Sequence, residues 1–439
     1  MSIQIAFPRF LRIGGGTVDD IGDVIRQLGL QRPVVVTDKF LTSTGTSERI
    51  LTLLREARIT PALFDDTVPD PTTDSLETGL ALLADHNADS VIGFGGGSPM
   101  DTAKALAVLG VRGGRMRDYK VPHVYTGPAL PVVAIPTTAG SGSEATQFTI
   151  ISDSVTDEKM LCPGLSFLPI AAIVDFELTM SMPPRLTADT GVDALTHAIE
   201  AYVSRKANPV SDGLALAAMR TIGQNLRAAY EDGENKQARE AMMLAATQAG
   251  MAFSNASVAL VHGMSRPIGA HFHVAHGLSN AMLLPAITAF SVKGAESRYA
   301  DCARVLGVAT EATGDGIAAQ SLVDSLAELC HDLAVPTPRD HGIDRARWND
   351  LIPLMAQQAL DSGSPGNNRL CHCRRNRRTV RRGLRLAWMR SAPRAVRRVR
   401  VRARAAGPFR SCRSAAPIAG ELAPQRCHRR HELMHSVRT

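Results

Sequence analysis

Residues 90–110 read SVIGFGGGSPMDTAKALAVLG. An apolar run containing Val91 and Ile92 leads into four glycines, Gly93, Gly95, Gly96 and Gly97, and an Ala/Leu-rich stretch follows. This order predicts a strand, a tight glycine turn and a helix. Pro99 suits the first helical position and Ser98 can cap it. A helix start approached by bare glycine backbone offers free N–H groups and a positive dipole end to a phosphate. The loop departs from G-x-G-x-x-G because Ser98 stands at the last glycine place.

The same alternation extends outward. RPVVVTD (residues 32–38) reads as a strand ending at Asp38, SERILTLLREA (47–57) as a helix, and PVVAIPTT (131–138) as another strand. Strands alternating with helices predict a parallel sheet covered on both faces, an α/β dinucleotide-binding domain of Rossmann-like type over residues 1–182. TTAGSGSE (137–144) follows its strand directly, and Thr137, Thr138, Ser141 and Ser143 bring hydroxyls suited to phosphate or ribose. In α/β sheets ligands bind beyond the carboxyl ends of the strands. A carboxylate at Asp38 can bind both ribose hydroxyls of NAD and repel the extra phosphate of NADP, although it precedes the glycine loop instead of following it. Gly95 and Asp101 complete the candidate cofactor set.

From about Pro183 strand signals nearly vanish, and long stretches such as DGLALAAMRTIGQNLRAAYE replace them. Residues 183–368 read as an all-helical domain. GVDALTHAIEAY (191–202) places Asp193 and His197 four apart, on one helix face. VHGMSRPIGAHFHVAHG (261–277) places His262 near the end of a long apolar helix and His276 after a loop. One carboxylate and three imidazoles form a donor set for a borderline divalent metal, Fe²⁺ or Zn²⁺.

These stretches together resemble the iron-containing (group III) alcohol dehydrogenase family, over almost all of residues 8–368. The resemblance implies an N-terminal dinucleotide-binding domain, a dehydroquinate synthase-like helical domain, and a metal in the cleft between them. It implies metal ligation by Asp193, His197, His262 and His276. Pyrophosphate contacts fall on Gly96, Gly97 and Ser98, further cofactor contacts on Thr137, Thr138, Phe148 and Lys159, and NAD selection on Asp38. The implied activity is NAD-dependent interconversion of a small primary alcohol or diol and its aldehyde, with Fe²⁺ expected and Zn²⁺ the alternative. Glycerol, lactaldehyde or hydroxyacid oxidoreductases and hydroxyacid–oxoacid transhydrogenases are neighbouring activities. A homo-oligomer is also implied. Many members carry a second His four residues after the third ligand; this chain has Arg266 there. Arg is no base at neutral pH. Proton transfer then falls to water, the cofactor ribose, His271 or His273, and the guanidinium itself suits an anionic group.

Charge divides the chain at one point. The formal net charge is +7, yet residues 369–439 hold 21 Arg, no Lys, no Asp and two Glu, while the preceding 368 hold 28 basic and 40 acidic residues. A tail of that composition matches out-of-frame translation of a GC-rich gene, and it lacks the apolar pattern expected of folded chain. Read literally it is a basic arm for nucleic acid, the competing functional class. Three widely spaced cysteines before residue 369, no eighteen-residue apolar run and no apolar leader fit a reduced, cytoplasmic, non-membrane protein.

Overall fold

The computed structural model describes residues 2–370 and 377–389. Among them, six strands form one parallel sheet: β1 (Phe10–Ile13), β2 (Pro33–Val36), β3 (Ala62–Phe64), β4 (Ser90–Gly95), β5 (Val132–Pro136) and β8 (Ala171–Val174). Their order is β1-β8-β5-β4-β2-β3. β6 (Phe148–Asp153) and β7 (Glu158–Pro163) pair apart as an antiparallel hairpin. The central strands β2, β4, β5 and β8 are buried along their whole length, as a parallel sheet covered on both faces requires. On one face Val35, Ile92 and Ile135 pack with Ile21, Ile25, Ile50 and Leu54 of α1 (Ile21–Gln27) and α3 (Thr46–Glu56). On the other face Val34 and Val91 meet Leu83 and Leu106 of α4 (Glu77–Asp85) and α5 (Gly97–Arg112).

The sheet explains the inverted position of Asp38. The chain passes from β2 outward to β3, then returns across β2 to β4 and leaves on the other side toward β5. The connections after β2 and β4 therefore diverge and open a crevice between two neighbouring strands. Asp38 and the glycine loop flank that crevice although fifty-odd residues separate them in sequence. Asp38 caps the short α2 (Lys39–Ser43), accepting from Leu41 N at 3.0 Å.

One correction concerns the turn itself. α5 begins at Gly97 with Gly96 as its cap, so Pro99 is its third residue and Ser98 makes no cap hydrogen bond. Gly95 has φ +146°, and a Cβ there would meet Pro99 at 2.6 Å. The helix therefore starts two residues ahead of Pro99.

Beyond Pro183 the described residues are helical: α6 (Pro184–Val203), α7 (Pro209–Glu231), α8 (Lys236–Ala256), α9 (Leu260–Phe272), α10 (His276–Ser291), α11 (Glu296–Val305), α12 (Asp315–Asp332), α13 (Arg345–Asp361) and α14 (Arg377–Met389). No single described helix is long and apolar enough to cross a membrane. Cys162, Cys302 and Cys330 are free and buried. A second correction falls at His262. The apolar helix expected to carry it breaks at residues 257–259, where Ser257 has φ +81°, and α8 and α9 meet at 104°. His262 is the third residue of the new helix, not near the end of the old one.

A third correction concerns the arginine-rich segment, read from sequence as lacking an apolar pattern. α14 lies inside it and is packed. Val380, Gly383, Leu384 and Ala387 are buried at helical spacing, Trp388 meets Trp348 at 5.4 Å between centroids, and Arg382 lies over Phe290. Arg369 donates to Val203 O and Ser204 O. Residues 371–376 and 390–439, including CHC (371–373), Cys412 and Cys427, lie outside the described residues. Leu384 is fully buried, so Leu384→Ala should lower unfolding free energy by about 2–5 kcal/mol in urea denaturation, with Arg385→Ala as a near-neutral control. Equal, negligible effects would contradict the packing of α14.

Candidate metal and dinucleotide site

Three helix segments bring the four donors together. α6 carries Asp193 and His197 one turn apart, α9 starts just before His262, and α10 starts at His276. One donor atom from each residue lies within 4.8 Å of the others. Asp193, His197 and His262 are buried. The His262 ring stacks on His197 at 4.4 Å, and His197 stacks on Phe253 at 4.2 Å.

Protonation states follow from burial and charge. Burial pushes His197 down to about 3 and His276 down to about 4, so both stay neutral at pH 7. Burial opposes ionisation of Asp193, yet the neighbouring imidazoles outweigh it and the net shift is downward. For His262, burial also disfavours charge, but the facing carboxylates of Asp193 and Glu200 prevail and the shift is upward.

Glu200 was not singled out in the sequence, though it lies three residues after His197 on the same helix. Its carboxylate is buried and accepts from Ala259 N (2.9 Å), Val261 N (2.6 Å) and His262 N (3.2 Å), and it meets His262 Nδ1 at 2.8 Å. With Nδ1–H held there, the Nε2 lone pair faces Asp193 Oδ1 at 3.4 Å. Asn280, four residues after His276 and also missed, donates to Asp193 Oδ1 at 2.6 Å. Two buried atoms, His197 Nδ1 and His262 Nε2, have no hydrogen-bond partner. Buried polar atoms rarely stay unpaired, and the imidazole-rich set with its carboxylate-anchored His fits a divalent cation.

The donors wall a cavity of about 160 Å³ that also touches Gly97, Ser98, Asp101, Ser141, Phe148, Lys159 and Arg266. The two small-residue loops abut: Thr137 N donates to Gly95 O at 2.9 Å, and a Cβ on Gly96 would lie 3.5 Å from Thr138. Asp101 Oδ1 accepts from Ser143 Oγ and Oδ2 from Ile150 N. Its two oxygens therefore tie α5 to the second loop and β6. Beneath them the buried Lys104 Nζ donates to Ser143 Oγ, Thr146 O, Thr146 Oγ1 and Phe148 O. Burial lowers Lys104 to about 8. Lys159 pairs with Asp70 at 2.8 Å at the rim. Asp38, Gly95, Gly96, Thr137 and Thr138 lie along the crevice outside this cavity.

His271 and His273 do not join the site. His271 Nε2 bonds Gln358 Oε1 at 2.8 Å, and His273 is exposed in the left-handed conformation that ends α9. Neither lines the cavity, because both lie more than two turns beyond His262. Arg266, one turn beyond His262, does line it.

A glycine-loop crevice joined to a four-donor metal set fits a metal- and dinucleotide-dependent oxidoreductase. Comparison with known proteins narrows this class. The pattern of the iron-containing alcohol dehydrogenases matches residues 8–176, and that of the C-terminal region of the Fe-containing alcohol dehydrogenase family matches residues 187–374. The chain is 40% identical to long-chain-alcohol dehydrogenase 1 of Geobacillus thermodenitrificans over 359 residues, 81% of this chain and 90% of that protein. It is 39% identical to the NAD-dependent methanol dehydrogenase of Bacillus methanolicus over 325 residues, 74% of this chain and 85% of that protein. A crystal structure of 1,3-propanediol oxidoreductase superposes with a TM-score of 0.83 at 34% identity, covering 88% of this chain and 100% of that one. The chain belongs to the iron-containing alcohol dehydrogenase family.

Replacing Glu200 with Gln retains shape but removes the charge that anchors His262. Affinity for Zn²⁺, measured by competition with a chromogenic chelator, should fall by about 10–100-fold. Unaltered affinity would show that Glu200 serves the helix break alone.

Proposed function

We propose that the chain oxidises small primary alcohols, and reduces the matching aldehydes, with NAD as the hydride carrier and a divalent iron held by Asp193, His197, His262 and His276. The observation that carries this reading is the convergence of those four donors on the cavity that Gly97 and Ser98 also line. When bound, such a metal supplies Lewis-acid polarisation of the alcohol or carbonyl oxygen.

The chain's own groups do the rest. The N-terminus of α5 receives the pyrophosphate through free N–H groups at the glycine turn, and Asp38 selects the unphosphorylated adenosine ribose. Phe148 stacks on Phe253 at 6.1 Å, and Phe253 stacks on His197. With Val258 and Ile150 these rings give the reacting carbon an apolar wall that keeps water from the hydride path. Glu200 and Asn280 hold His262 and Asp193 in position. A nicotinamide cofactor held along this crevice would supply the hydride-accepting chemistry, while the protein supplies position. The hydroxyl proton leaves to water or the cofactor ribose, since Arg266 holds its proton and the other nearby histidines lie away from the cavity.

The test is NAD reduction with a series of C1–C4 alcohols after anaerobic purification and elemental analysis. His262→Ala should lose bound metal and turnover together; a metal-free His262→Ala protein with full activity would sink the reading. Asp38→Gly should lower the NAD-over-NADP preference in kcat/KM by about tenfold or more, consistent with loss of a charged hydrogen-bonding partner; an unchanged ratio would remove Asp38 from cofactor selection.

A further inference from the structure

Arg266 is the cavity residue that the proposed reaction leaves without work. It is 6% exposed. Its Nη1 donates to Ser364 Oγ at 2.8 Å, its Nε has no hydrogen-bond partner, and among the described residues no carboxylate lies within ion-pairing distance of it. Glu200, the acid whose charge acts on it, is committed to the amides of α9 and to His262. Lys159, the other cation on the cavity wall, is already paired with Asp70. Burial lowers Arg266 to about 10, so it stays charged at neutral pH. A buried guanidinium without a counter-ion is unfavourable unless something else supplies the negative charge.

Position says what that something is. Arg266 follows His262 by one helical turn, which separates their Cβ atoms by roughly 6 Å. It lines the same cavity as Gly97 and Ser98 at the α5 N-terminus, where the cofactor phosphates would sit. The guanidinium is therefore placed for the far end of a small molecule whose oxygen is held at the four-donor set. Its planar fork matches a carboxylate in two parallel hydrogen bonds.

Resting on the alcohol dehydrogenase reading above, we infer that the substrate carries an anionic group, and that Arg266 binds it: a short ω-hydroxy acid and its aldehyde acid, three or four carbons long. The reaction balances as hydroxy acid plus NAD⁺ giving aldehyde acid, NADH and a proton. The carbinol C–H bond breaks with hydride transfer to nicotinamide, the O–H proton goes to solvent, and the carboxylate stays intact against Arg266. A carboxylate there fills the unmet hydrogen-bonding capacity of the guanidinium, which a neutral alcohol leaves buried and unpaired.

The metal-loaded enzyme is assayed with 3-hydroxypropanoate and 4-hydroxybutanoate against 1-propanol, 1-butanol and 1,4-butanediol. The wild type should favour the hydroxy acids by at least tenfold in kcat/KM. Arg266→Met keeps an unbranched stem and should lower the acid-to-alcohol ratio about 100-fold, mainly through KM for the acid, with Arg266→Lys recovering part of it. Ser364→Ala, which removes only the hydrogen bond to Nη1, should move the ratio far less. Butanoate, which cannot react, should raise the calorimetric Tm of the wild type with NAD present but not that of Arg266→Met. A wild type that prefers the neutral alcohols and is not stabilised by butanoate overturns the inference while leaving the dehydrogenase reading intact, even if the variants fail to fold. No NADH from any alcohol or acid overturns both.

Discussion

The carboxylate of Glu200 lies between α6 and the start of α9, where it accepts three backbone N–H groups and meets the ring of His262. A helix N-terminus leaves several amides without internal partners, and buried ones must find acceptors. α8 ends and α9 starts at a 104° bend among buried residues, so water is a poor source of those acceptors. A single anion solves the problem, and the positive end of the α9 dipole stabilises its charge. The same anion fixes the tautomer of His262. The backbone break and the metal donor geometry are thus one arrangement, and neither can change without the other.

That arrangement must also be held against the dinucleotide crevice, and the second small-residue loop does this. Gly142 lies so close to α8 that a Cβ on it would meet the Cα of Gly250 at 2.5 Å, and a Cβ on Gly250 would meet Gly142 O at 2.6 Å. Around this contact Thr247 Oγ1 donates to the buried Glu144 at 2.6 Å, and Gln147 Nε2 donates to Ser254 O at 2.7 Å. Glycine at both positions lets loop and helix touch at backbone distance. Ser143 in the same loop reaches Asp101 and Lys104 of α5. A shift of α8 would therefore move the glycine turn as well as Phe253, which stacks on His197. The cofactor side and the metal side are coupled through small residues and a buried polar network, features that cost stability if left partly satisfied.

Much of this was legible in the chain, for reasons that can be named. Strands β2, β4 and β5 are fully buried, so they read as continuous apolar runs, and the glycine and threonine loops mark their carboxyl ends. Asp193 and His197 share a helix face by spacing alone. What stayed hidden depends on neighbours distant in sequence. The role of Glu200 exists only because α9 starts opposite it, and nothing in the run ASVALVHG announces the helix break, which shows only in the structure as the positive φ of Ser257. His271 and His273 looked available because they are near His262 in sequence. Helical geometry carries them along the axis to Gln358 and to the exposed end of α9. Asp38 precedes the glycine loop in sequence because β3 adds outside β2, leaving the strand of Asp38 beside the strand of the glycine loop.

The arginine-rich segment shows most sharply how composition and packing can part. Composition changes at residue 369, yet among the described residues beyond it α14 is packed. An amphipathic helix needs one apolar stripe, and the rest of its surface is free to be charged. Val380, Leu384 and Ala387 provide the stripe, Gly383 sits where a Cβ would meet the Met264 side chain at 3.2 Å, and arginines at 377, 378, 381, 382 and 385 occupy the remaining faces. Met264 lies between His262 and Arg266 on α9, and Ser364, just ahead of the compositional change, holds the Arg266 guanidinium. The C-terminal segment therefore backs the helix that presents both a metal donor and the cavity's unpaired cation. Any account of this chain's origin that treats everything after residue 368 as surplus must reckon with a helix that seals the far side of its own active-site wall.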